Sequence, residues 1–200
     1  PVVHVDDNIY SLELFHGPTL AFKDVGARFM ARTLGYFIRK KGLRQVNVLV
    51  ATSGDTGSAV ANGFLDVPGI HVYVLYPKGK VSPIQECQFT TLGQNITALE
   101  IDGNFDDCQA LVKAAFMDEA LNKHMTLTSA NSINVARFLP QAFYYFNAYA
   151  QLDRQGKADQ LVVCVPSGNF GNITAGLFAY WMGLPIKRFV AANNRNDVFY

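Results

Sequence analysis

The sequence predicts an α/β protein whose strands form parallel sheets, and three observations support this prediction. Short apolar runs alternate with helical patterns along the chain at the spacing of βαβ units. Two of these runs are residues 46–51 and 161–165, and the first is continuous, apolar and rich in valine, which is typical of a strand buried on both faces of a sheet. Each run is followed at once by a glycine-rich loop that leads into a helix.

The composition indicates a folded protein without a nucleic-acid or membrane surface. The chain has 200 residues, which is enough for one domain with a sizeable core or for two small domains. Of these residues, 50% are hydrophobic and 16% are charged. Its formal net charge is +1, and its longest basic run, residues 39–41, is too short for a nucleic-acid surface. Because we find no signal peptide and no apolar stretch of membrane-spanning length, we expect a cytoplasmic protein.

Neither the cysteines nor the histidines have the spacing of a metal site. Cys87, Cys108 and Cys164 are scattered over two predicted helices and a strand, which fits neither a disulfide framework nor zinc. We expect them to be reduced thiols in the core. The four histidines are equally scattered, and we predict no metal site.

The first half of the chain alternates between strands and helices. Ser82-Pro83 gives one helix a serine cap and a proline at its first position, and Gly93 ends that helix. Asn104 or Asp102 caps the helix that follows. The predicted strands cover 46–51, 71–76, 96–101 and 125–128, and the predicted helices cover 58–64, 83–92 and 105–117.

The second half begins with a long helix over 131–151 that is interrupted or started near Pro140. A polar linker over 153–159, a strand over 161–165, a helix over 172–182 and a strand-like run at 188–192 follow.

We therefore predict two doubly wound parallel-sheet units. One is a smaller α/β unit over 45–129, and the other is a larger, incomplete unit composed of 1–44 and 130–200. Because ligands of open parallel sheets bind beyond the carboxyl ends of the strands, a cleft between the units would receive both glycine-rich loops. The chain begins at Pro1 and ends just after a strand, so we expect a longer protein whose C-terminal part lies beyond this chain.

The segment Gly-Pro-Thr-Leu-Ala-Phe-Lys-Asp, residues 17–24, places Lys23 at a loop-to-helix junction. A lysine that binds an aldehyde covalently must lose its proton part of the time, which requires desolvation or neighbouring cations. Phe22 and the apolar residues before it supply a hydrophobic surface that could keep water from the amine. An ordinary helix start with a surface lysine is the alternative, and the residues alone leave it open.

Residues 52–57, Thr-Ser-Gly-Asp-Thr-Gly, form the first glycine-rich loop. Its glycines let the backbone approach a ligand, and Ser53 and Thr56 offer hydroxyls to an anion held at the helix N-terminus. Asp55 would repel that anion unless it binds another group or caps the helix. The loop is neither a Walker A nor a Rossmann motif, and a simple strand-to-helix turn is the alternative.

Two further segments have the composition of anion sites. Residues 167–172 combine Gly168 and Gly171 with polar donors directly after a strand, as in a phosphate-binding nest. Residues 131–137 place asparagine and serine in the first turn of a helix, with Arg137 one turn further on. The alternatives are a plain strand-to-helix turn and a capped helix with a surface arginine.

Together, these segments indicate a cofactor that binds an amine covalently and carries a phosphate. Pyridoxal phosphate has both properties, because its aldehyde condenses with a lysine amine and its phosphate accepts hydrogen bonds from backbone N–H groups. The residues thus predict Lys23 as the covalent anchor of this cofactor.

At these segments the chain resembles the threonine synthases, a family of fold-type II pyridoxal-phosphate enzymes whose fold is like that of the tryptophan synthase β subunit. Four blocks in family order carry the resemblance: residues 14–24, 51–57, 129–134 and 165–172. Relatives that catalyse other β- or γ-eliminations usually have Ser-Gly-Asn-Thr in the second block. This chain has Asp55 there, as in the threonine synthase branch.

The resemblance implies a role for each candidate residue. Lys23 would bind the cofactor and later move protons, and Asp55 stands where an asparagine of relatives bonds the cofactor's ring oxygen. The cofactor phosphate would be held by Gly168, Asn169, Phe170, Gly171 and Asn172. The substrate carboxylate would be bound by Ser53 and Thr56, and the substrate phosphate by Asn131, Ser132 and Arg137.

The implied activity is the conversion of O-phospho-L-homoserine and water to L-threonine and phosphate, a lyase reaction of amino-acid biosynthesis. The family's hydroxyl partner of the pyridine nitrogen would lie beyond residue 200, so this chain would hold an incomplete cofactor site. Another fold-type II enzyme, such as a threonine dehydratase, and a non-catalytic phosphate-ligand-binding module are the alternatives. The sequence favours neither a monomer nor a homo-oligomer.

Overall fold

A computed structural model describes residues 1–43, 45–166 and 170–195 of the chain. The strands are β1 (Val2–Asp6), β2 (Ile9–Leu12), β3 (Val46–Ala51), β4 (Ile70–Pro77), β5 (Ile96–Ile101), β6 (Leu127–Ser129), β7 (Val162–Pro166) and β8 (Arg188–Ala192). The helices are α1 (Asp24–Lys41), α2 (Asp55–Phe64), α3 (Pro83–Thr90), α4 (Phe105–Met117), α5 (Glu119–His124), α6 (Val135–Phe138), α7 (Ala142–Asp153) and α8 (Gly171–Trp181), with a 3₁₀ helix at Leu139–Gln141.

The chain divides into two compact units, one formed by Phe15–Arg137 and the other by Pro1–Leu14 with Phe138–Tyr200. The first unit extends beyond both ends of the predicted 45–129, because α1 packs against α2 and the residues after β6 are bonded to the end of β3. The assignment of 1–44 and 130–200 to one larger unit of the complete protein stays a prediction.

The Phe15–Arg137 unit is built on a parallel sheet with the strand order β5-β4-β3-β6. All six residues of β3 are buried, as expected for a strand with helices on both faces. Val48 and Val50 pack in the core formed with α1, α2 and α3, whereas Leu49 and Ala51 pack in the core formed with α4. The two cores explain why this strand lacks the polar alternation of a half-exposed one.

The parallel pairing of β3 and β6 decides which loops meet. Leu49 lies opposite Ser129 in this pair, so the two strands end at the same edge of the sheet. The first glycine-rich loop follows β3 there, and the turn over residues 131–134 follows β6. Two segments that are far apart in the sequence are thereby brought together within one unit.

Most predicted elements are present. β5 and α4 have the predicted bounds, and Asn104 caps α4 through a capping box with Asp107. α2 begins at Asp55, earlier than predicted, because the first helical turn already lies within the glycine-rich loop. The predicted helix over 131–151 is interrupted near Pro140, as expected, but its first residues form a turn rather than a helix. The β1–β2 hairpin and α5 are not among the predicted elements.

The other unit contains the antiparallel hairpin β1–β2 and the parallel pair β7–β8, together with α7 and α8. The backbone N–H of Val2 donates to Gln151 Oε1 at 2.9 Å, which ties the hairpin to α7. α8 packs closely at Gly176, where a side chain would overlap the rings of Tyr145 and Phe189.

The cysteines have different environments, although all three are free thiols. Cys108 is buried beneath the sheet, and burial raises the pKa of its thiol. Cys87 and Cys164 are exposed, so the expectation of core thiols is wrong for these two. Within residues 1–43, 45–166 and 170–195, no helix is long and apolar enough to cross a membrane. The same residues contain no group of histidine, cysteine and acidic side chains that could hold a metal ion.

Candidate active site

Asp24 fixes the loop that carries Lys23. Its carboxylate is 4% exposed and accepts hydrogen bonds from the backbone N–H of Thr19 at 3.0 Å and from the Thr19 hydroxyl at 2.5 Å. Gly17 lies so close to this carboxylate that a side chain there would overlap it. As the first residue of α1, Asp24 also places a negative charge where a helix N-terminus favours one. The loop is therefore folded back onto α1, and Lys23 is held at the junction.

Lys23 has the desolvated environment that a reactive lysine needs. Its side chain is 20% exposed, with Nζ 3.9 Å from Asp55 Oδ2 and 5.6 Å from the centre of the Phe22 ring. Burial lowers the pKa of the Lys23 amine; the negative charge of Asp55 opposes this effect, and the positive charge of Arg137 adds to it. The alternative of an ordinary surface lysine is wrong.

Thr52 is the buried centre of the first glycine-rich loop, a role that the sequence analysis missed. Its side-chain oxygen accepts hydrogen bonds from the backbone N–H groups of Gly54 at 3.0 Å and Gly57 at 2.7 Å, and its hydroxyl donates to the Gly54 carbonyl at 3.0 Å. Gly57 has no room for a side chain, because a Cβ there would lie 2.5 Å from the Thr52 methyl. Thr52 thus shapes the passage from β3 into α2.

The N-terminus of α2 lies within this loop, because the helix begins at Asp55. Gly54 precedes the helix with φ = 148°, a conformation that glycine adopts far more readily than other residues. The first N–H groups of a helix have no intrahelical acceptors and carry a partial positive charge. Ser53, which is exposed, and Thr56, which is buried, flank this position. The arrangement suits a carboxylate ligand, as predicted for the substrate.

The two carboxylate oxygens of Asp55 face two different side chains. Oδ2 faces Lys23, and Oδ1 accepts a hydrogen bond from Nε2 of Gln85 in α3. These contacts give Asp55 partners other than an anion at the helix N-terminus. The sequence analysis missed Gln85, whose one local signal is its position three residues after Ser82, the spacing of a capping box. That spacing indicates the start of α3 and says nothing about a contact with Asp55.

Asn131 fastens the turn after β6 to the end of β3. Its Nδ2 donates to the Ala51 carbonyl at 2.8 Å, and the Ala51 N–H donates to its Oδ1 at 3.3 Å. The Ser129 hydroxyl donates to the same Oδ1 at 3.1 Å. Both ends of the Asn131 amide are therefore used within the protein, and Ser132 beside it is partly exposed. Contact of these two residues with a substrate phosphate stays a prediction.

Arg137 is a fully buried side chain, only 1% exposed. Its Nη1 donates to the Ala130 carbonyl at 2.8 Å, and its backbone carbonyl lies against Gly26 of α1, where a Cβ would overlap it. Its positive charge contributes to lowering the pKa of Lys23. The alternative of a surface arginine is wrong, although binding of a substrate phosphate by Arg137 stays a prediction.

The second glycine-rich loop belongs to the other unit, and residues 167–169 lie outside the described residues, so the predicted roles of two phosphate residues have no structural account. Phe170, with φ = 56°, leads into α8. The side-chain amide of Asn172 donates to the Pro166 carbonyl at 3.4 Å, and the Tyr145 hydroxyl donates to the Asn172 carbonyl at 2.6 Å. Burial raises the pKa of Tyr145, so this hydroxyl stays a donor. Phosphate binding by the loop stays a prediction.

The Phe15–Arg137 unit therefore brings together Lys23, Asp55 and Arg137 from three separate segments, next to the N-terminus of α2. An amine with a lowered pKa can attack a carbonyl and exchange protons at neutral pH. A neighbouring helix N-terminus and a buried guanidinium can hold anions. The arrangement fits amine-based chemistry on a small anionic molecule.

Comparison with known proteins gives consistent results. The sequence profile of the family described as "Pyridoxal-phosphate dependent enzyme" matches residues 4–200. The chain is 58% identical over 197 residues to a threonine synthase of Haemophilus influenzae and 57% identical over 197 residues to one of Escherichia coli. Each alignment covers 98% of this chain but 45% of the relative. The chain thus spans somewhat less than half the length of these relatives.

Solved structures of threonine synthases share the fold. The Escherichia coli crystal structure superimposes with a TM-score of 0.87 at 55% identity, over 98% of this chain and 45% of that one. The crystal structure of the pyridoxal-phosphate-bound threonine synthase from Brucella melitensis gives a TM-score of 0.88 at 45% identity, over 98% and 42% of the two chains. The predicted α/β fold with parallel sheets is confirmed.

Proposed function

This chain belongs to the family of pyridoxal-phosphate dependent enzymes, and from this premise we propose that the whole protein is a threonine synthase. It would convert O-phospho-L-homoserine and water to L-threonine and phosphate. The observation that carries the proposal is the placement of Lys23, Asp55 and the buried Arg137 together, in a chain 58% identical to a threonine synthase. A cytoplasmic location is part of the proposal, supported by the three free thiols.

The residues present fit pyridoxal phosphate. The cofactor's aldehyde needs an amine that loses its proton readily, and burial lowers the pKa of Lys23. Asp55 lies 3.9 Å from this amine and would be one of the residues that hold the cofactor. Residues 168–172, of which Gly171 and Asn172 begin α8, would hold the cofactor phosphate. When bound, pyridoxal phosphate supplies a ring that absorbs the electron pair left on the substrate Cα.

Lys23 would carry the proton transfers of the reaction. With the substrate bound, the Lys23 amine would take the proton from the substrate Cα. Burial and the charge of Arg137 favour the neutral amine that accepts this proton. Asp55, whose charge favours the protonated form, stabilises the ammonium group that results. The opposing charges of Arg137 and Asp55 thus act on the balance between the neutral and the protonated form of Lys23.

The substrate would be held by its two anionic ends. Ser53, Thr56 and the N-terminus of α2 would bind the carboxylate, because a helix N-terminus attracts anions. Ser132 and Arg137 would bind the phosphate, and the guanidinium would stabilise the charge of the departing group. Asn131 would contribute mainly by holding this turn against Ala51.

The proposal is tested with the full-length protein, O-phospho-L-homoserine and pyridoxal phosphate. We expect equal amounts of released phosphate and L-threonine, measured by a colorimetric phosphate assay and by chiral chromatography. Formation of 2-oxobutyrate and ammonia from L-threonine, without activity on the phosphate ester, would instead identify a threonine dehydratase. A full-length protein that develops no visible absorbance band with the cofactor would favour a non-catalytic module that binds a phosphorylated ligand.

A further inference from the structure

Gln85 joins α3 to the carboxylate that faces Lys23. Its Nε2 donates a hydrogen bond to Asp55 Oδ1. Its Oε1 accepts a hydrogen bond from the Ser82 hydroxyl at 3.0 Å. A reversed amide would place its oxygen against the carboxylate, whereas the Ser82 hydroxyl can pair with either end of the amide, so Asp55 by itself fixes the orientation of the amide.

The glycine-rich loop is shaped around the same residue. A side chain at Gly54 would overlap Gln85 Oε1, so the loop backbone lies directly against the amide. The Ser58 hydroxyl in α2 lies 3.1 Å from the Gln85 carbonyl and 3.4 Å from the Gly54 carbonyl. Gln85 therefore contacts the loop through its side chain and α2 through its backbone, which is more than the capping of α3 requires.

The Asp55 carboxylate needs such an anchor. Its side chain is 44% exposed, and its Oδ2 is 3.9 Å from Lys23 Nζ, a distance too long for a direct hydrogen bond. An exposed carboxylate held only by such an ion pair gains little and can rotate toward water. The hydrogen bond from Gln85 removes that freedom by holding Oδ1, which leaves Oδ2 toward the amine.

We propose that Gln85 is a positioning residue of the active site, which holds Asp55 so that one carboxylate oxygen faces the Lys23 amine. The inference rests on the proposed function, in which Lys23 exchanges protons with the substrate. Burial has the largest effect on the pKa of Lys23; among the described residues, Asp55 from α2 and Arg137 from α6 add effects of opposite sign. The position of Asp55 therefore influences how strongly Lys23 holds its proton.

The test is an NMR titration of the Lys23 amine in the full-length protein without cofactor. Lysine labelled with ¹³C at Cε reports the charge of each amine, and Lys23→Met assigns the signal. Gln85→Met keeps the length of the side chain and removes the hydrogen-bond donor. We expect the pKa of Lys23 to be lower in Gln85→Met than in the wild type, because Asp55 is no longer held toward the amine.

A double-mutant comparison shows whether Gln85 acts through Asp55. Asp55→Asn should lower the pKa of Lys23 by itself, since it removes the charge that raises it. In the Asp55→Asn background, Gln85→Met should cause no further shift, because the two changes interrupt one chain of contacts. Ser82→Ala is the matched control. It removes the cap of α3 but leaves the donor to Asp55, so it should lower the unfolding midpoint without moving the Lys23 pKa.

Two results would overturn the inference. One is a Gln85→Met protein with a wild-type circular dichroism spectrum and an unchanged Lys23 pKa. The other is a shift of the Lys23 pKa by Gln85→Met that is equally large in the wild-type and in the Asp55→Asn background. If Gln85→Met does not fold, Gln85→Asn, which is too short to reach Asp55, replaces it with the same expected shift.

The outcomes separate this inference from the proposed function. A full-length wild type that fails to convert O-phosphohomoserine refutes the proposed function. If the wild type is active and the Gln85→Met variant has the same Lys23 pKa as the wild type, only the positioning role is refuted.

Discussion

Replacing Thr52 with valine should loosen the glycine-rich loop, although the volume of the side chain hardly changes. Valine has nearly the shape of threonine, and Thr52 is 1% exposed. The substitution removes a hydroxyl that donates one hydrogen bond and accepts two. The Gly54 carbonyl and the N–H groups of Gly54 and Gly57 then lose the partner that the hydroxyl supplies.

The expected cost follows from these three hydrogen bonds. A typical intramolecular hydrogen bond contributes about 0.5–1.5 kcal/mol net, and a buried group left without a partner costs about 1–3 kcal/mol. Because the helix N-terminus offers some access to water, the three losses do not add in full. We therefore expect Thr52→Val to lower the free energy of unfolding by about 2–4 kcal/mol.

Urea denaturation of the full-length protein measures this change from the midpoint and the slope. Thr52→Ser is the first control, because it keeps the hydroxyl and loses one buried methyl group, at about 1 kcal/mol. Thr90→Val is the second; its exposed hydroxyl donates to the Glu86 carbonyl at 2.9 Å, and its loss should change stability by less than about 0.5 kcal/mol. A cost below about 1 kcal/mol for Thr52→Val would refute the reasoning, since one hydrogen bond alone could account for it.

Three further predictions concern the charged and glycine positions. Burial depresses the pKa of Lys23 below 10.5. Between the pKa of the folded state and 10.5, the unfolded chain therefore binds more protons than the folded chain. The free energy of unfolding rises with pH in this range. Lys23→Met should therefore be more stable than the wild type at neutral pH, with an advantage in urea midpoint that shrinks toward pH 10.5; a constant difference would contradict this. Arg137→Gln should reduce kcat/KM for O-phosphohomoserine at least about tenfold, or roughly 1.4 kcal/mol, while the cofactor absorbance band persists; a loss under about threefold would count against a phosphate contact. Gly171→Val should weaken retention of pyridoxal phosphate during dialysis more than it changes the KM for substrate, because a β-branched side chain obstructs the backbone at the proposed phosphate site, and wild-type retention would place that site elsewhere.

Local patterns in the sequence were enough to predict most of the regular elements and the glycine-rich loops between them. The valine-rich run at 46–51 becomes β3, buried on both faces, because a parallel strand between two helix layers has no solvent side. Asn104 caps α4 as predicted, because a capping box depends on neighbours a few residues away. Lys23 was identified from its own segment, where Thr19 and Asp24 are close enough in sequence to fold the loop.

The contacts that set the site's electrostatics were decided by the tertiary structure. Arg137 could have been a surface residue as far as its own segment shows, but in the folded unit it is buried, with its backbone carbonyl against Gly26, more than 100 positions earlier. The amide of Asn131 could have bound a ligand, but the parallel pairing of β3 with β6 places it on the backbone of Ala51.

The sequence by itself therefore determined most of the strands and helices and the places of the glycine-rich loops, because hydrophobic periodicity, caps and glycine positions act over a few residues. It did not determine that Gln85 holds Asp55, or that Asp55 and Arg137 act together on Lys23. Those contacts join residues tens of positions apart. They depend on strand order and helix packing, which place side chains by the shape of the whole unit rather than by any pattern near them in the chain.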